Sequence, residues 1–197
     1  IVAVHPSLPV KSIRELIALA KVRPGELNMS TGLSGGTTHL ATELLKSLAG
    51  VNIVSVPYKG TAPAVSALIG GEVQLTINEA GLMAPHVRSS RVRALAVTSA
   101  TPSALVPGLP TVAASGVPGY EWVGMTHIMA PAKTPAAIIS RLNQEIVRAL
   151  NRAEVKERYL SAGAEVVASS PEEFAAIIKS DSARIAKVIR DADIRAQ

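Results

Sequence analysis

The fold is decided by one glycine- and hydroxyl-rich segment, Ser30-Thr31-Gly32-Leu33-Ser34-Gly35-Gly36-Thr37-Thr38-His39. An apolar run ends just before it, and leucines at helical spacing follow it at positions 40, 44, 45 and 48. The segment therefore joins a strand to a helix whose first N–H groups lack internal partners. Such a turn can hold a phosphate or a carboxylate through neutral donors. The alternative is an ordinary glycine- and serine-rich loop with a threonine N-cap.

Composition places the chain among globular proteins. Its 197 residues are 48% hydrophobic and 18% charged. No apolar run reaches the roughly 18 residues that a membrane-spanning helix needs. The absence of cysteine excludes disulfides, thiolate metal sites and a cysteine nucleophile. The four histidines show no H-x-x-x-H spacing, so we expect neither a metal site nor a cofactor.

The positive charges are dispersed. Net charge is +5, aromatic residues make up 3% of the chain, and the densest basic group is Arg88, Arg91 and Arg93. Because nucleic-acid binders more often combine a basic stripe with stacking residues, we expect no nucleic-acid partner, and the mild cationic bias favours anionic small ligands slightly. The first residues, Ile1–Pro6, lack the regions of a signal peptide, which is expected either to have been removed or to lie upstream.

Strand and helix patterns alternate through the first hundred residues. Predicted strands lie near residues 27–30, 51–56, 73–77 and 92–97, and Ser12-Ile13-Arg14-Glu15 forms a predicted capping box for the first helix. This alternation predicts an α/β fold with a mostly parallel sheet covered on both faces. The loops that begin at Ser30, Tyr58 and Asn78 each follow a strand, so we expect them at the same edge of the sheet.

The second half of the chain is organised differently. Prolines punctuate residues 100–119, and Tyr120–Met129 is predicted as one extended strand. Residues 133–197 are mainly helical, with a short strand at Ala164–Val167 and a capping box at Ser170–Glu173. The chain is therefore predicted to consist of a lobe at 8–118, interlobe crossing strands at 1–7 and 119–130, and a C-terminal helical part of the other lobe at 131–197.

One motif points to an enzyme instead. Gly32-Leu33-Ser34-Gly35-Gly36 matches G-x-S-x-G, the nucleophile elbow of α/β hydrolases, in a strand–turn–helix context. Glu79 followed by His86 or His127 supplies the serine–acid–histidine order. A serine hydrolase using Ser34 is thus the alternative function, although chance matches to so short a pattern are frequent.

Other polar residues are candidates for ligand contacts. His39 could hold the loop or reach the ligand, and a lone histidine is more often structural. The run Tyr58-Lys59-Gly60-Thr61 could clamp an anion or could be a surface turn. Asn78 could present its amide to ligand hydroxyls or could simply begin the next turn.

The order of these segments resembles the Bug receptors, the solute-binding proteins of tripartite tricarboxylate transporters. The resemblance covers essentially the whole chain. It is carried by these segments in order: Pro24-Gly25-Glu26-Leu27-Asn28, Ser34-Gly35-Gly36-Thr37-Thr38-His39-Leu40-Ala41, Val56-Pro57-Tyr58-Lys59-Gly60-Thr61-Ala62-Pro63-Ala64, Leu68-Ile69-Gly70-Gly71-Glu72-Val73-Gln74, Pro85-His86, Arg93-Ala94-Leu95-Ala96-Val97-Thr98, Leu109-Pro110-Thr111-Val112, Ala130-Pro131-Ala132-Lys133-Thr134-Pro135 and Ser170-Pro171-Glu172-Glu173-Phe174.

The resemblance implies a two-lobed, periplasmic-binding-protein-like (type II) fold that closes around a small carboxylate or related organic anion in the periplasm. It implies membrane transporter subunits as partners and no catalysis. It also implies that an N-terminal segment of the family is lacking. The implied ligand-binding residues are Ser34, Gly35, Gly36, Thr37, Thr38, His39, Tyr58, Lys59, Gly60, Thr61 and Asn78.

Two positions depart from the family pattern. The family often has Asp where Asn78 stands, and a neutral amide argues against an amine-bearing ligand. Met125-Thr126-His127-Ile128 replaces the usual aromatic–small pattern before Ala130-Pro131. The ligand class is therefore left open, and His127 is a candidate cleft-facing variation.

Overall fold

Five short strands form one open sheet in the order β3-β2-β4-β1-β5. The computed structural model describes residues 1–192 and 194. The strands are β1 (Val2–Val4), β2 (Asn28–Thr31), β3 (Val54–Pro57), β4 (Leu75–Ile77) and β5 (Arg93–Ala96). Each of the last four lies within a few residues of a strand expected from the sequence.

Seven helices accompany the strands in the described part of the chain. Four of them alternate with the strands of the sheet, and the other three follow a long irregular connection. They are α1 (Ile13–Val22), α2 (Thr37–Ala49), α3 (Thr61–Ile69), α4 (Ala80–Arg88), α5 (Ala136–Leu150), α6 (Ala153–Ser161) and α7 (Pro171–Asp191). Among the described residues, no helix combines the length and apolarity needed to cross a membrane.

Two helices begin at side-chain caps that the sequence predicts. Ser170 accepts a hydrogen bond from the Glu173 N–H, and Glu173 accepts one from the Ser170 N–H, which completes the capping box of α7. Ser12 likewise accepts from the Glu15 N–H. The Glu15 carboxylate, however, accepts from the N–H of Lys11 at 2.6 Å and not from that of Ser12. The second hydrogen bond of the predicted capping box therefore reaches one residue further from α1.

The sheet is mixed. β2 pairs in parallel with β3 and β4, as the alternating pattern predicts. β1 runs antiparallel to both of its neighbours, β4 and β5. It lies inside the sheet, so the predicted lobe boundary at residue 8 leaves out a strand that belongs to the lobe's sheet. The sheet therefore takes in residues 2–4 as well as the strands between residues 28 and 96.

Each face of the sheet has its own apolar core. On one face, Leu16 of α1 and Leu45 of α2 pack with Met29 and Leu75 of the sheet. On the other, Leu68 of α3 and Met83 of α4 pack in a second cluster. Tyr120 is 1% exposed and donates its hydroxyl to the Ala41 carbonyl at 3.1 Å, which ties the end of the lobe to α2. Burial raises the pKa of this phenol.

Two strands expected from the sequence are absent from the described structure. Residues 120–129 are extended without strand pairing, although the Trp122 N–H donates to the Thr98 carbonyl at 2.7 Å. Residues 164–167 also form no strand. Both predictions were wrong because apolar residues favour a strand only where a partner strand lies beside them.

The C-terminal helices have little core of their own. α5 and α6 contain no buried residue, and in α7 the described buried residue is Val188. The unit is attached to the lobe by packing of Val188 into the lobe's core and by polar contacts: the Glu165 carboxylate accepts from the Ser103 hydroxyl at 2.7 Å and from the Ala104 N–H at 2.9 Å. The backbones of Gly81 and Gly163 also meet, so closely that a Cβ on either glycine would clash with the other.

Candidate ligand-binding site

Three loops meet at one edge of the sheet. The parallel register pairs Thr31 with Pro57 and Ser30 with Thr76, so β2, β3 and β4 all end on the same side. The loops after them lead into α2, α3 and α4. The common edge expected from the sequence is therefore present, and it is where open α/β sheets bind ligands.

The three helices that begin at this edge have no side-chain cap. Their N-cap residues are Gly36, Gly60 and Glu79. The two glycines have no side chain to act as a cap, and the Glu79 side chain accepts no hydrogen bond from α4. Three helix N-termini, each with a partial positive charge, thus lie at the same edge of the sheet. Helix starts of this kind can bind an anion through neutral donors, whereas the Glu79 side chain supplies a carboxylate at the rim.

The loop before α2 is shaped by its glycines and by Thr38. Gly35 has φ +74°, a conformation that favours glycine. Gly36 is extended, and an added Cβ there would lie 3.0 Å from the Leu33 carbonyl oxygen. The Thr38 hydroxyl accepts from the Gly32 N–H at 2.7 Å and so closes the loop. The threonine N-cap considered from the sequence is therefore absent, because Thr38 serves the loop rather than the helix start.

His39 lies behind this loop. Its Nδ1 accepts the Gly35 N–H at 3.0 Å, and its Nε2 lies 3.6 Å from the Glu43 carboxylate. Glu43 also accepts from Lys46 at 2.8 Å and from the Ser55 hydroxyl at 2.7 Å. The sequence analysis missed this cluster, although the i, i+4 and i, i+3 spacings of His39, Glu43 and Lys46 could have indicated it.

The Tyr58–Thr61 loop joins β3 to α3 at this edge of the sheet. The Tyr58 ring packs on the cluster of α3 and α4. Burial, followed by the neighbouring Glu72 carboxylate, raises the pKa of this phenol. Lys59 is exposed, and Gly60 takes φ +115° just before the first residue of α3, Thr61. Lys59 is therefore a solvated charge at the rim.

Asn78 is buried at the end of β4. It is 5% exposed, its side-chain oxygen accepts the Glu79 N–H at 3.1 Å, and its backbone N–H pairs with the Ile1 carbonyl. The amide side chain thus holds the start of α4 in place.

A cavity of about 250 Å³ adjoins the first loop through Thr37. It lies between α7 and the extended residues after Tyr120, and Trp122, His127, Phe174 and Arg184 also line it. His127 packs on Phe174 with 5.1 Å between ring centroids. The Trp122 Nε1 and Arg184 Nε groups are buried without a partner among the described residues. The sequence analysis missed both, since their proximity depends on how α7 packs.

The geometry does not assemble a hydrolase around Ser34. Ser34 is exposed, and its hydroxyl makes no hydrogen bond to a histidine within the described residues. His39, the nearest histidine in sequence, already uses Nδ1 for Gly35. His86 lines a separate surface groove with residues of α3, and His127 packs on Phe174. No cluster of three or more metal-ligating side chains occurs in the part of the chain that the structure describes.

The family model described as "Tripartite tricarboxylate transporter family receptor", TctC, matches residues 1–194. The chain belongs to this family. Protein BugT of Bordetella pertussis is 36% identical to it over 191 residues, which are 97% of this chain and 59% of BugT. The chain spans little more than half the length of the first curated relatives it matches, 54% in one and 59% in the other.

Solved structures confirm that the chain has the fold of this family. The structure described as R. palustris Rpa4515 with adipate has a TM-score of 0.84 and 38% identity, covering 98% of this chain and 64% of that one. The periplasmic binding protein BugD has a TM-score of 0.78 and 29% identity, covering 100% of this chain and 66% of that one. The family is described as a transporter receptor and BugD as a periplasmic binding protein, so the serine hydrolase alternative has no support.

Proposed function

We propose that this protein is a periplasmic solute receptor that captures a small organic anion, a carboxylate or a related metabolite, for a tripartite-type transporter. Family membership supports the class of function, and the adipate bound to Rpa4515 supports a carboxylate ligand. Membership of a family that includes a periplasmic binding protein supports the compartment. Membrane subunits of the transporter are the proposed partners.

The observation that carries the proposal is the convergence of three uncapped helix N-termini at one sheet edge. The N–H groups of Thr37, Thr38 and His39 at the start of α2 have no acceptor among the described residues. A carboxylate oxygen can accept from them without any fixed positive charge in the site.

The proposed binding residues act in different ways. Ser34, Thr37 and Thr61 present exposed hydroxyls and N–H groups at the helix starts. Gly35, Gly36 and Gly60 allow close approach of the backbone, and Lys59 attracts the anion from the rim. The remaining members of the site shape or complete it: Thr38, His39, Tyr58 and Asn78.

The proposed closure brings together the sheet-bearing lobe and the C-terminal unit at 131–197, with residues 119–130 as the crossing. The contacts of Glu165 with Ser103 and Ala104 join the two parts through polar groups, whereas Val188 of α7 packs into the lobe's apolar core, so we propose that closure changes the Glu165 contacts and leaves the Val188 packing in place. The cavity between Thr37 and α7 lies along the same junction.

Titration calorimetry with adipate tests the site. Gly36→Val places a side chain against the Leu33 carbonyl and tilts the open N–H groups, so we expect affinity to fall by at least about tenfold. The matched control, Lys59→Ala, removes a solvated charge and should change affinity by less than about threefold at physiological salt. Unchanged binding by Gly36→Val, or a larger loss in Lys59→Ala, would show that charge rather than backbone geometry holds the ligand.

A further inference from the structure

We propose that His39 is a positioning residue: the Nδ1 atom of its imidazole accepts the Gly35 N–H and holds the Gly35 turn in the conformation that receives the ligand. The proposal rests on the proposed anion site at the start of α2 and assigns the His39 side chain a role without ligand contact.

The first observation is the direction of the hydrogen bond. A backbone N–H can only donate, so the Gly35 N–H at 3.0 Å requires a lone pair on Nδ1. With a proton on Nδ1, the Gly35 N–H and the imidazole N–H would both be donors, and this hydrogen bond could not form. The turn with φ +74° at Gly35 therefore depends on the neutral ring.

The second observation is what faces the other nitrogen. Nε2 lies 3.6 Å from the Glu43 carboxylate, an arrangement that favours the tautomer carrying its proton on Nε2. That tautomer leaves Nδ1 free to accept from the loop. The side chains of His39 and Glu43 are 15% and 13% exposed, so water competes weakly for these contacts.

The third observation is how firmly Glu43 is held. Lys46 of α2 donates to it at 2.8 Å, and Ser55 of β3 donates at 2.7 Å. Lys46 also donates to Ser55 at 3.3 Å. The charged groups around the imidazole are thus Glu43 and Lys46, which neutralise each other, and β3 contributes only a hydroxyl. The whole cluster joins the sheet to the loop through His39.

The consequence concerns which N–H groups point at the ligand. The donors at Thr37 and Thr38 come directly after the Gly35–Gly36 turn, so their direction follows the turn. Loss of the Gly35 bond lets the turn rotate and costs affinity by making the competent conformation rarer.

Two variants separate this role from simple packing. His39→Phe keeps an aromatic ring and removes the acceptor, whereas His39→Asn places a carbonyl oxygen where Nδ1 stands. We expect His39→Phe to bind adipate about tenfold more weakly and His39→Asn to recover most of that loss.

A measurement without ligand keeps the proposal independent of the proposed function. Long-range proton–nitrogen NMR should show His39 protonated on Nε2 and not on Nδ1 near neutral pH. Amide exchange at Gly35 should be slower than at Ser34 by roughly tenfold, and His39→Phe should remove that difference. A proton on Nδ1, or equal exchange at Gly35 in wild type and His39→Phe, would overturn the proposal. If neither the wild type nor either variant binds adipate while these spectra are as expected, adipate is not a ligand of this protein, and the role of His39 in holding the turn stands.

Discussion

The sheet-bearing lobe and the C-terminal helices use the same amphipathic patterns with different results. In α3, Leu68 is fully buried against the second apolar cluster, whereas Leu142 of α5 is 49% exposed. Both leucines lie on helices with a clear apolar face. The difference teaches that periodicity specifies a helix and its apolar face, while burial depends on a complementary surface that the helix itself does not supply.

The largest expected difference concerns these two leucines. Leu68→Ala should lower the free energy of unfolding by about 2–5 kcal/mol, because it removes buried methyl groups and leaves a cavity. Leu142→Ala should change it by less than about 0.5 kcal/mol. Urea unfolding followed by circular dichroism measures both. Equal losses would show that α5 is buried in solution and would break the comparison.

The next difference lies within α7. Val188 is 5% exposed and packs into the core of the lobe, while its neighbour Ile189 is 36% exposed. Val188→Ala should cost about 2 kcal/mol and loosen α7 from α2, and Ile189→Ala should cost well under half of that. Limited proteolysis reports the loosening. A variant Val188→Ala with unaltered stability and cleavage would mean that α7 does not dock on the lobe.

The exposed apolar faces should also drive self-association. Ile138, Leu142 and Ile178 are each more than 40% exposed on α5 and α7. Patches of this kind favour contact with other apolar surfaces. We expect the double variant Leu142→Lys with Ile178→Lys to weaken self-association of the chain about tenfold in sedimentation.

The matched control for this effect is Val22→Lys, which changes a 75% exposed residue on α1 of the lobe. An isolated exposed apolar residue is ordinary for a protein surface, so this variant should leave association unchanged. If the wild type is monomeric at every concentration, or if Val22→Lys has an equal effect, the association does not arise from the C-terminal faces.

The smallest expected effects come from the two serine caps. Ser12→Ala and Ser170→Ala should each weaken their own helix by about 1 kcal/mol. In α1, which is part of the lobe's core, the loss should appear in global unfolding. In α7 it should appear as faster amide exchange in the first turn with little change in global stability. If Ser170→Ala lowered global stability as much as Ser12→Ala does, the two helices would be equally integrated into the core.

Much of the architecture was predictable because it depends on local signals. The strand–loop–helix order around Gly36, Gly60 and Asn78 follows from apolar runs, glycines and prolines, and the common edge follows from parallel order. The reversed direction of β1 was not predictable, because it depends on pairing with strands more than seventy residues away. The extended segment after Tyr120 has strand-like composition and lacks a partner.

The candidate site divides in the same way. The sequence indicates which loops lie at the edge of the sheet. Whether the proposed residues of the Ser34–His39 and Tyr58–Thr61 loops contact the ligand stays a prediction. What could not be predicted is the division of work between side chains. His39 accepts from Gly35, Thr38 from Gly32, and Asn78 from Glu79, and each bond depends on a rotamer that only the packed loop determines.

The position of β1 in the middle of the sheet has a consequence for how the lobe forms. Val2 pairs with Ile77 on one side and with Ala96 on the other. β2 and β3, by contrast, pair across a separation of only about 26 residues. The first partner of β1, strand β4, comes about seventy residues later in the chain and the second, β5, about ninety residues later, and contacts of such separation form slowly. A central strand whose two partners are both distant in sequence is therefore the part of this sheet most open to mispairing while the chain folds.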